Sequence, residues 1–295
     1  MNVQNLRARA QDHPYPPRLY HYTDVQGLLG IIQAQTLWAT HVDYLNDSSE
    51  VQYARRLVIE MLTKYEAEAR LSPTRAVLSR ARETFDLVAA TDVYVLCFCE
   101  DGDLLSQWRG YGQGGDGYAI GIDAGRLVAK RESMGNFFFG KVEYDPERQR
   151  ELLAAVIETL VAGVSVHVAA ASPKAKAAVL DECARLMRRV LWFALVTFKD
   201  PTFASEQEWR VISTLSHRES EARVKLRASG HRLAPYLELD FKQSKEEPTG
   251  KIPIVEVRHG PTLQPAMAKA GLKLLLRRYG YSDAGVEGSQ IPLRV

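Results

Sequence analysis

Cysteine is scarce in this chain: Cys97, Cys99 and Cys183 are the only three among 295 residues. An odd, small number argues against a disulfide framework and fits a reducing cytoplasm, which is the expected compartment. Charge of one sign is lacking too. Lys plus Arg number 38 against 36 Asp plus Glu, a balance of +2 that gives no bulk argument for nucleic acid or a membrane surface. The opening MNVQNLRARAQDHPYPP has no apolar run, so no signal peptide is expected. No internal repeat and no low-complexity tract is present. One stretch, Leu152 to Ala171, approaches bilayer length. Its Glu158, His167 and many alanines favour a buried helix or helix pair over a span. What is present is ordinary globular material. A hydrophobic share of 46% and a charged share of 25% support a sizeable core, in one large domain or one domain with an insertion.

Periodicity divides the chain into short alternating elements. Pro14, Pro16 and Pro17 mark an extended lead-in, and Arg18 to Tyr22 reads as a strand. Asp24 is placed to cap a helix over Asp24 to Gln33, with Val25, Leu28, Leu29 and Ile32 at helical spacing. A strand over Thr36 to Thr40 follows, then a helix toward Glu68 and a second from Ser72-Pro73 to about Ala89. Val93 to Cys99 is a strongly apolar strand, with a short helix over Asp103 to Gly110 and a glycine-rich turn after it. Strands are expected at Tyr118 to Ile122, Phe137 to Tyr144, Trp209 to Thr214 and Ile252 to Val257, and a late helix at Ala266 to Arg278. Residues 146 to 197 read as a mostly helical insertion broken at Ser172-Pro173. The fold class is α+β.

Three stretches carry residues suited to chemistry. His21 ends the first strand beside Thr23, a pairing able to hold a sugar hydroxyl and an amide, although a lone histidine is more often structural. Phe98, Trp108, Arg109 and Tyr111 bring aromatics and a guanidinium next to a glycine turn; they suit a flat ligand ring or fill core equally well. Glu206 and Glu208 stand two apart before Trp209, so on an extended chain they share a face and can divide acid, base and electrostatic roles; a solvated charged turn is the plainer reading. Gly110-x-Gly112-x-x-Gly115 precedes a strand instead of opening a helix, so it lacks the mechanics of a dinucleotide loop. Cys97-x-Cys99 has neither zinc spacing nor a second pair, and no metal is expected.

The strings LYHYT, WATHVDYLND, CFCEDGDLLSQWRGYG and FASEQEWRVI resemble a bacterial family of unknown function numbered 2971, over roughly residues 18 to 260. More distantly, LYHYT and the helix after it are similar to the first NAD-binding segment of poly-ADP-ribose polymerases and diphtheria-type toxins. That resemblance implies an ADP-ribosyltransferase-like split β-sandwich with NAD, as substrate, in a cleft between two small sheets. It implies that His21 binds the adenosine-side ribose and that the Tyr22 backbone and Thr23 hold the nicotinamide amide. Tyr111 and, more loosely, Phe98 would flank the nicotinamide ring, with Trp108 and Arg109 beside them. Glu208 matches the catalytic glutamate, and Glu206 the first acid of the E-x-E pattern of arginine-directed transferases. Tyr22 stands where those families carry a small residue.

The resemblance further implies transfer of ADP-ribose to a protein or nucleic-acid acceptor, in a toxin or phage-defence role with a partner such as an antitoxin. Three alternatives stay open: an NAD glycohydrolase using water as acceptor, a non-catalytic nucleotide-binding or regulatory module, and a nucleic-acid-binding protein using basic spots at Arg188, Arg189, Arg277 and Arg278, which solvated helix faces explain as well.

Overall fold

The computed structural model describes residues 15–45, 48–85, 93–111, 117–129, 137–215, 222–229, 231–240, 250–262 and 264–292. Among them are nine α-helices and a ten-stranded mixed sheet, an α+β protein. Its chain contacts form two compact units. One draws on Val42–Asp92 and Val142–Ala204, the other on His13–His41, Val93–Lys141 and Ser205–Val295.

The first unit is helical. It contains α2 (Ser48–Glu68), α3 (Ser72–Glu83), α6 (Pro146–Ala170), α7 (Lys176–Leu191) and α8 (Ala194–Thr197). The helical stretch expected over 146–197 lies here, together with the two helices that follow Val42. The Leu152 to Ala171 segment is part of one continuous helix and not a helix pair. Asp145 caps α6, accepting from the Glu147 amide at 2.9 Å, and Pro146 opens its first turn. Leu153, Ile157, Val164 and Val168 form the buried stripe of α6. Only 22% of its most apolar window is buried, however, against the expectation of a buried helix, and it is long and apolar enough to cross a membrane. Gln149 on the same helix is fully buried. It donates to the carbonyls of Glu143 (2.7 Å) and Lys199 (2.9 Å) and accepts from the Tyr53 hydroxyl (2.8 Å). One amide thereby joins α2, α6 and the segment after α8. An ion pair from Arg82 to Glu66 at 2.8 Å links α3 to α2.

The second unit is the sheet. Its strands are β1 (Arg18–Thr23), β2 (Thr36–His41), β3 (Val93–Cys99), β4 (Tyr118–Asp123), β5 (Phe137–Lys141), β6 (Glu208–Thr214), β7 (Lys225–Ser229), β8 (Arg232–Asp240), β9 (Ile254–His259) and β10 (Gly285–Gly288). They run β10-β9-β4-β1-β3-β2-β8-β7, with β6 on β3 and β5 on β6. Among the described strands, only β9 and β10 pair in parallel. The helices α1 (Val25–Ala34), α4 (Leu105–Tyr111), α5 (Ala124–Ala129) and α9 (Pro265–Arg278) complete the unit. Asp24 caps α1 as its position predicts, accepting from the Gly27 amide at 2.7 Å. The strand expected to reach Tyr144 ends at Lys141, and the late strand starts at Ile254 instead of Ile252. The helix expected to reach Ala89 ends at Glu83; residues 86–92 lie outside the described residues, as do 112–116 of the glycine turn.

Alternation along the strands builds two apolar layers. Leu19, Tyr94, Leu96, Phe98, Trp209 and Val211 join the main core with Leu28 and Ile32 of α1 and Leu272 of α9. Tyr20, Tyr22, Cys99 and Ala119 point the other way, to a smaller cluster closed by Trp108 of α4.

Gln149→Leu keeps the volume of the side chain but removes three hydrogen bonds from a buried position. The expected loss is about 2–4 kcal/mol of unfolding free energy, read from urea denaturation. An unchanged midpoint would contradict the pinning role.

Candidate functional site

Strand β3 has three partners. β6 takes one edge along its full length, Val93↔Thr214 to Cys99↔Glu208. The other edge is shared: β1 meets it at Tyr20↔Cys99, and β2 meets it at Thr40↔Val95 and His41↔Tyr94. A strand edge offers one row of hydrogen-bonding groups, so two strands on the same edge must diverge between their pairing points. Cys97 lies at that fork, and its carbonyl accepts a hydrogen bond from His21 Nδ1 at 3.0 Å. A carbonyl only accepts, so Nδ1 carries the proton. His21 alternates with Tyr20 and Tyr22, so its imidazole leaves β1 on the face that Leu19 and Phe98 share and reaches the Cys97 carbonyl at the fork from there. Its ring also meets the Phe98 ring edge-on, with centroids 5.9 Å apart. Burial pushes the His21 pKa below its ordinary value, while the bond to Cys97 partly opposes that shift. The resting species is therefore a neutral imidazole with its lone pair on Nε2, an acceptor suited to a hydroxyl.

The other sequence-derived residues divide between the two layers. Thr23 shares the parity of His21 and sits over the start of α1, where a Cβ on Gly27 would fall 1.9 Å from its hydroxyl. Tyr22 faces the opposite layer. Its ring packs edge-on against Trp108 at 4.8 Å, and its hydroxyl donates to the Asp101 carbonyl (3.0 Å) and accepts from the Leu104 amide (2.9 Å). Burial drives the Tyr22 phenol pKa well up. Trp108 is 1% exposed and donates through Nε1 to Asp103 at 2.8 Å. Phe98 is equally buried, in the main core. Arg109 and Tyr111 end α4 exposed to solvent. Phe98 and Tyr111 thus do not form a ring sandwich here: one fills core and the other lies on the surface.

Glu208 heads β6, one residue earlier than the expected strand, and is 4% exposed. Both carboxylate oxygens are engaged by Arg210, Oε1 with Nε at 2.9 Å and Oε2 with Nη2 at 2.8 Å. Its register partner is Cys99, whose own partner is Tyr20, so Glu208 belongs to the face opposite Phe98 and Trp209. The idea that Glu206 and Glu208 point together needs correction. Glu206 closes a 3-10 turn, Pro201–Glu206, and Gln207 between them takes φ 44°, which breaks the two-residue period.

Sequence reasoning passed over Glu100. It accepts from Lys141 Nζ (2.7 Å) and Trp209 Nε1 (2.8 Å) at the rim of the main-core face, the layer that Phe98 shares. The signal was available: Glu100 continues the alternation of β3, two positions after Phe98.

Among the described residues no cluster of His, Cys, Asp and Glu could hold a metal ion. Residues 107–211 match the model of a protein family of unknown function, DUF2971. The match takes in Trp108, Arg109, Tyr111, Glu206 and Glu208 and stops short of His21. No curated protein and no solved structure matches the chain.

The His21 shift fixes a sign for acid sensitivity. Its folded pKa lies below the unfolded value of about 6.5, so the unfolded chain binds the extra proton first on acidification. The contribution of this group to stability is fully present above about 6.5 and is lost as pH falls from there through the folded pKa. Denaturation midpoints taken near pH 7.5 and near pH 5.5 should fall less in His21→Asn than in the wild type. Equal losses in the two proteins would contradict the assignment.

Proposed function

We propose that the sheet unit is an ADP-ribosyltransferase-like module that takes NAD at the fork of β3 and transfers ADP-ribose to a macromolecular acceptor. The observation that carries the reading is His21: a strand-end imidazole held neutral by the Cys97 carbonyl, with Nε2 left as an acceptor, in an opening between two strands of one sheet. In this reading Nε2 accepts a ribose hydroxyl. The Tyr22 backbone and Thr23, one and two residues along the same strand, receive the amide of the leaving nicotinamide.

Departure of nicotinamide makes the ribose oxocarbenium-like, and a carboxylate aimed at the anomeric carbon lowers that barrier. Glu208 is the residue assigned to that task, one strand beyond β3. Its oxygens are held by Arg210 in the resting protein, so activity requires Arg210 to give up at least one of them to the sugar. Glu206, on a separate turn, is left with contact to the acceptor. The acceptor, protein or nucleic acid, defines whether the chain acts as a toxin or defence effector, and whether an antitoxin-like partner restrains it. Water as acceptor would make it a glycohydrolase.

The closed Glu208–Arg210 pair and its place on the face opposite Phe98 favour a second reading, in which the same fork binds a nucleotide without turning it over. Calorimetry with NAD and chromatographic assay of released nicotinamide separate the two. Under the first reading NAD binds and is consumed, and Glu208→Gln binds NAD with little change while turnover falls by about two to four decades. Binding without turnover supports the second. No binding of NAD by the wild type contradicts both.

A further inference from the structure

We propose that Arg18 and Arg258, bridged by Glu256, form a binding site for a phosphoryl dianion on the sheet face opposite Phe98. The site is built by register. Tyr20, Gly121 and Glu256 lie side by side across β1, β4 and β9, and Arg258 follows Glu256 by two residues on the same face. Glu256 is buried, with 8% of its side chain exposed, and each of its oxygens is taken by a different guanidinium: Oε2 by Arg18 Nη1 and Oε1 by Arg258 Nε. Tyr20 lies between them. Its hydroxyl accepts from Arg18 and donates to Glu256, each at 3.3 Å, and its ring lies 5.7 Å from the Arg258 guanidinium. Two glycines make room for that ring, since a Cβ on Gly102 would fall 2.5 Å from it and one on Gly121 3.0 Å.

The charge count gives the ligand. Two cations share one buried anion, so the cluster carries one uncompensated positive charge. Asp123 and Glu287 stand in register with Arg18 and Arg258, yet neither forms an ion pair with them among the described residues; Asp123 instead accepts from the Arg126 amide at 2.9 Å. Arg18 and Arg258 side chains are 41% and 25% exposed, and beyond Glu256 and Tyr20 their N–H groups meet no described residue. Arg258 acts on Arg18 as a like charge. Planar donor forks held side by side, with spare N–H groups and excess charge, match the three oxygens of a phosphoryl group. A free phosphate and the phosphate of a nucleoside monophosphate share that chemistry.

The site lies apart from His21 and does not depend on NAD. Calorimetry on the full chain at low salt tests it with inorganic phosphate and, separately, adenosine monophosphate. Either probe should bind; the tighter of the two identifies the source. Arg258→Met and Arg18→Met should each weaken phosphate by at least about tenfold, and His21→Asn should leave it unchanged. Glu256→Gln removes the opposing charge and should tighten binding, an outcome that a purely structural ion network would not give. Should either Met variant fail to fold, Glu256→Gln and Arg18→Lys carry the test, the latter weakening binding through loss of the fork. Absence of binding of both probes by the wild type at about millimolar concentration, or undiminished affinity in a folded Arg258→Met, overturns the proposal.

Discussion

The edge of β3 that β1 and β2 must share is the constraint from which the candidate site follows. Either strand alone could extend along that edge; together they cannot. Helix α1 occupies only ten residues, and the turn to β2 is made at a single position, Gln35, in the left-handed region at φ 55°. A non-glycine residue there costs backbone energy, which its side chain offsets. Gln35 Oε1 accepts from the Ile252 amide (3.0 Å) and the Tyr281 hydroxyl (2.6 Å), and Nε2 donates to the Ile32 carbonyl (2.6 Å). The return of β2 to the edge of β3 is thus fastened to the segment just before β9 and to the segment after α9. The carbonyl of Cys97 falls in the resulting gap, where His21 supplies its donor.

The same register explains why two carboxylates of the sheet behave differently. Glu256, Gly121, Tyr20, Cys99 and Glu208 stand in one row across five strands, on one face. Each glutamate is followed two residues later by an arginine, so each has a guanidinium on its own face. Glu208 is buried with Arg210, which meets both of its carboxylate oxygens and so offsets the cost of taking the charge out of water. Glu256 is reached also by Arg18 from β1, which leaves the cluster positive.

Much of the fold was legible because it rests on patterns that survive in short windows. Val93 to Cys99 is apolar throughout and proves to be a strand paired on both edges. Asp24 before an apolar helical stripe gave the start of α1. The strands β7 and β8 were not legible: β7 is exposed along nearly its whole length, so burial imposes no alternation there, and β8 buries the adjacent pair Tyr236 and Leu237, which breaks the two-residue period. The site was read less well than the fold, for a related reason. Which face a residue takes depends on register, and register is a long-range property. Phe98 and Trp108 looked like one aromatic group, yet β3 sends Phe98 into the main core while α4 brings Trp108 to the other layer. The two-residue rule was applied to Glu206 and Glu208, where one left-handed residue defeats it. It holds for Glu208 and Arg210, where the strand is unbroken.

The central claim is that the fork presents a neutral imidazole whose Nε2 is an acceptor for a sugar hydroxyl. Long-range proton–nitrogen NMR of the His21 ring, with NAD titrated in, tests it most directly. The account predicts the Nδ1-protonated tautomer before addition and a saturable shift of the Nε2 resonance, with Nδ1 unchanged. An Nε2-protonated tautomer, or a ring that does not respond to NAD, would contradict it.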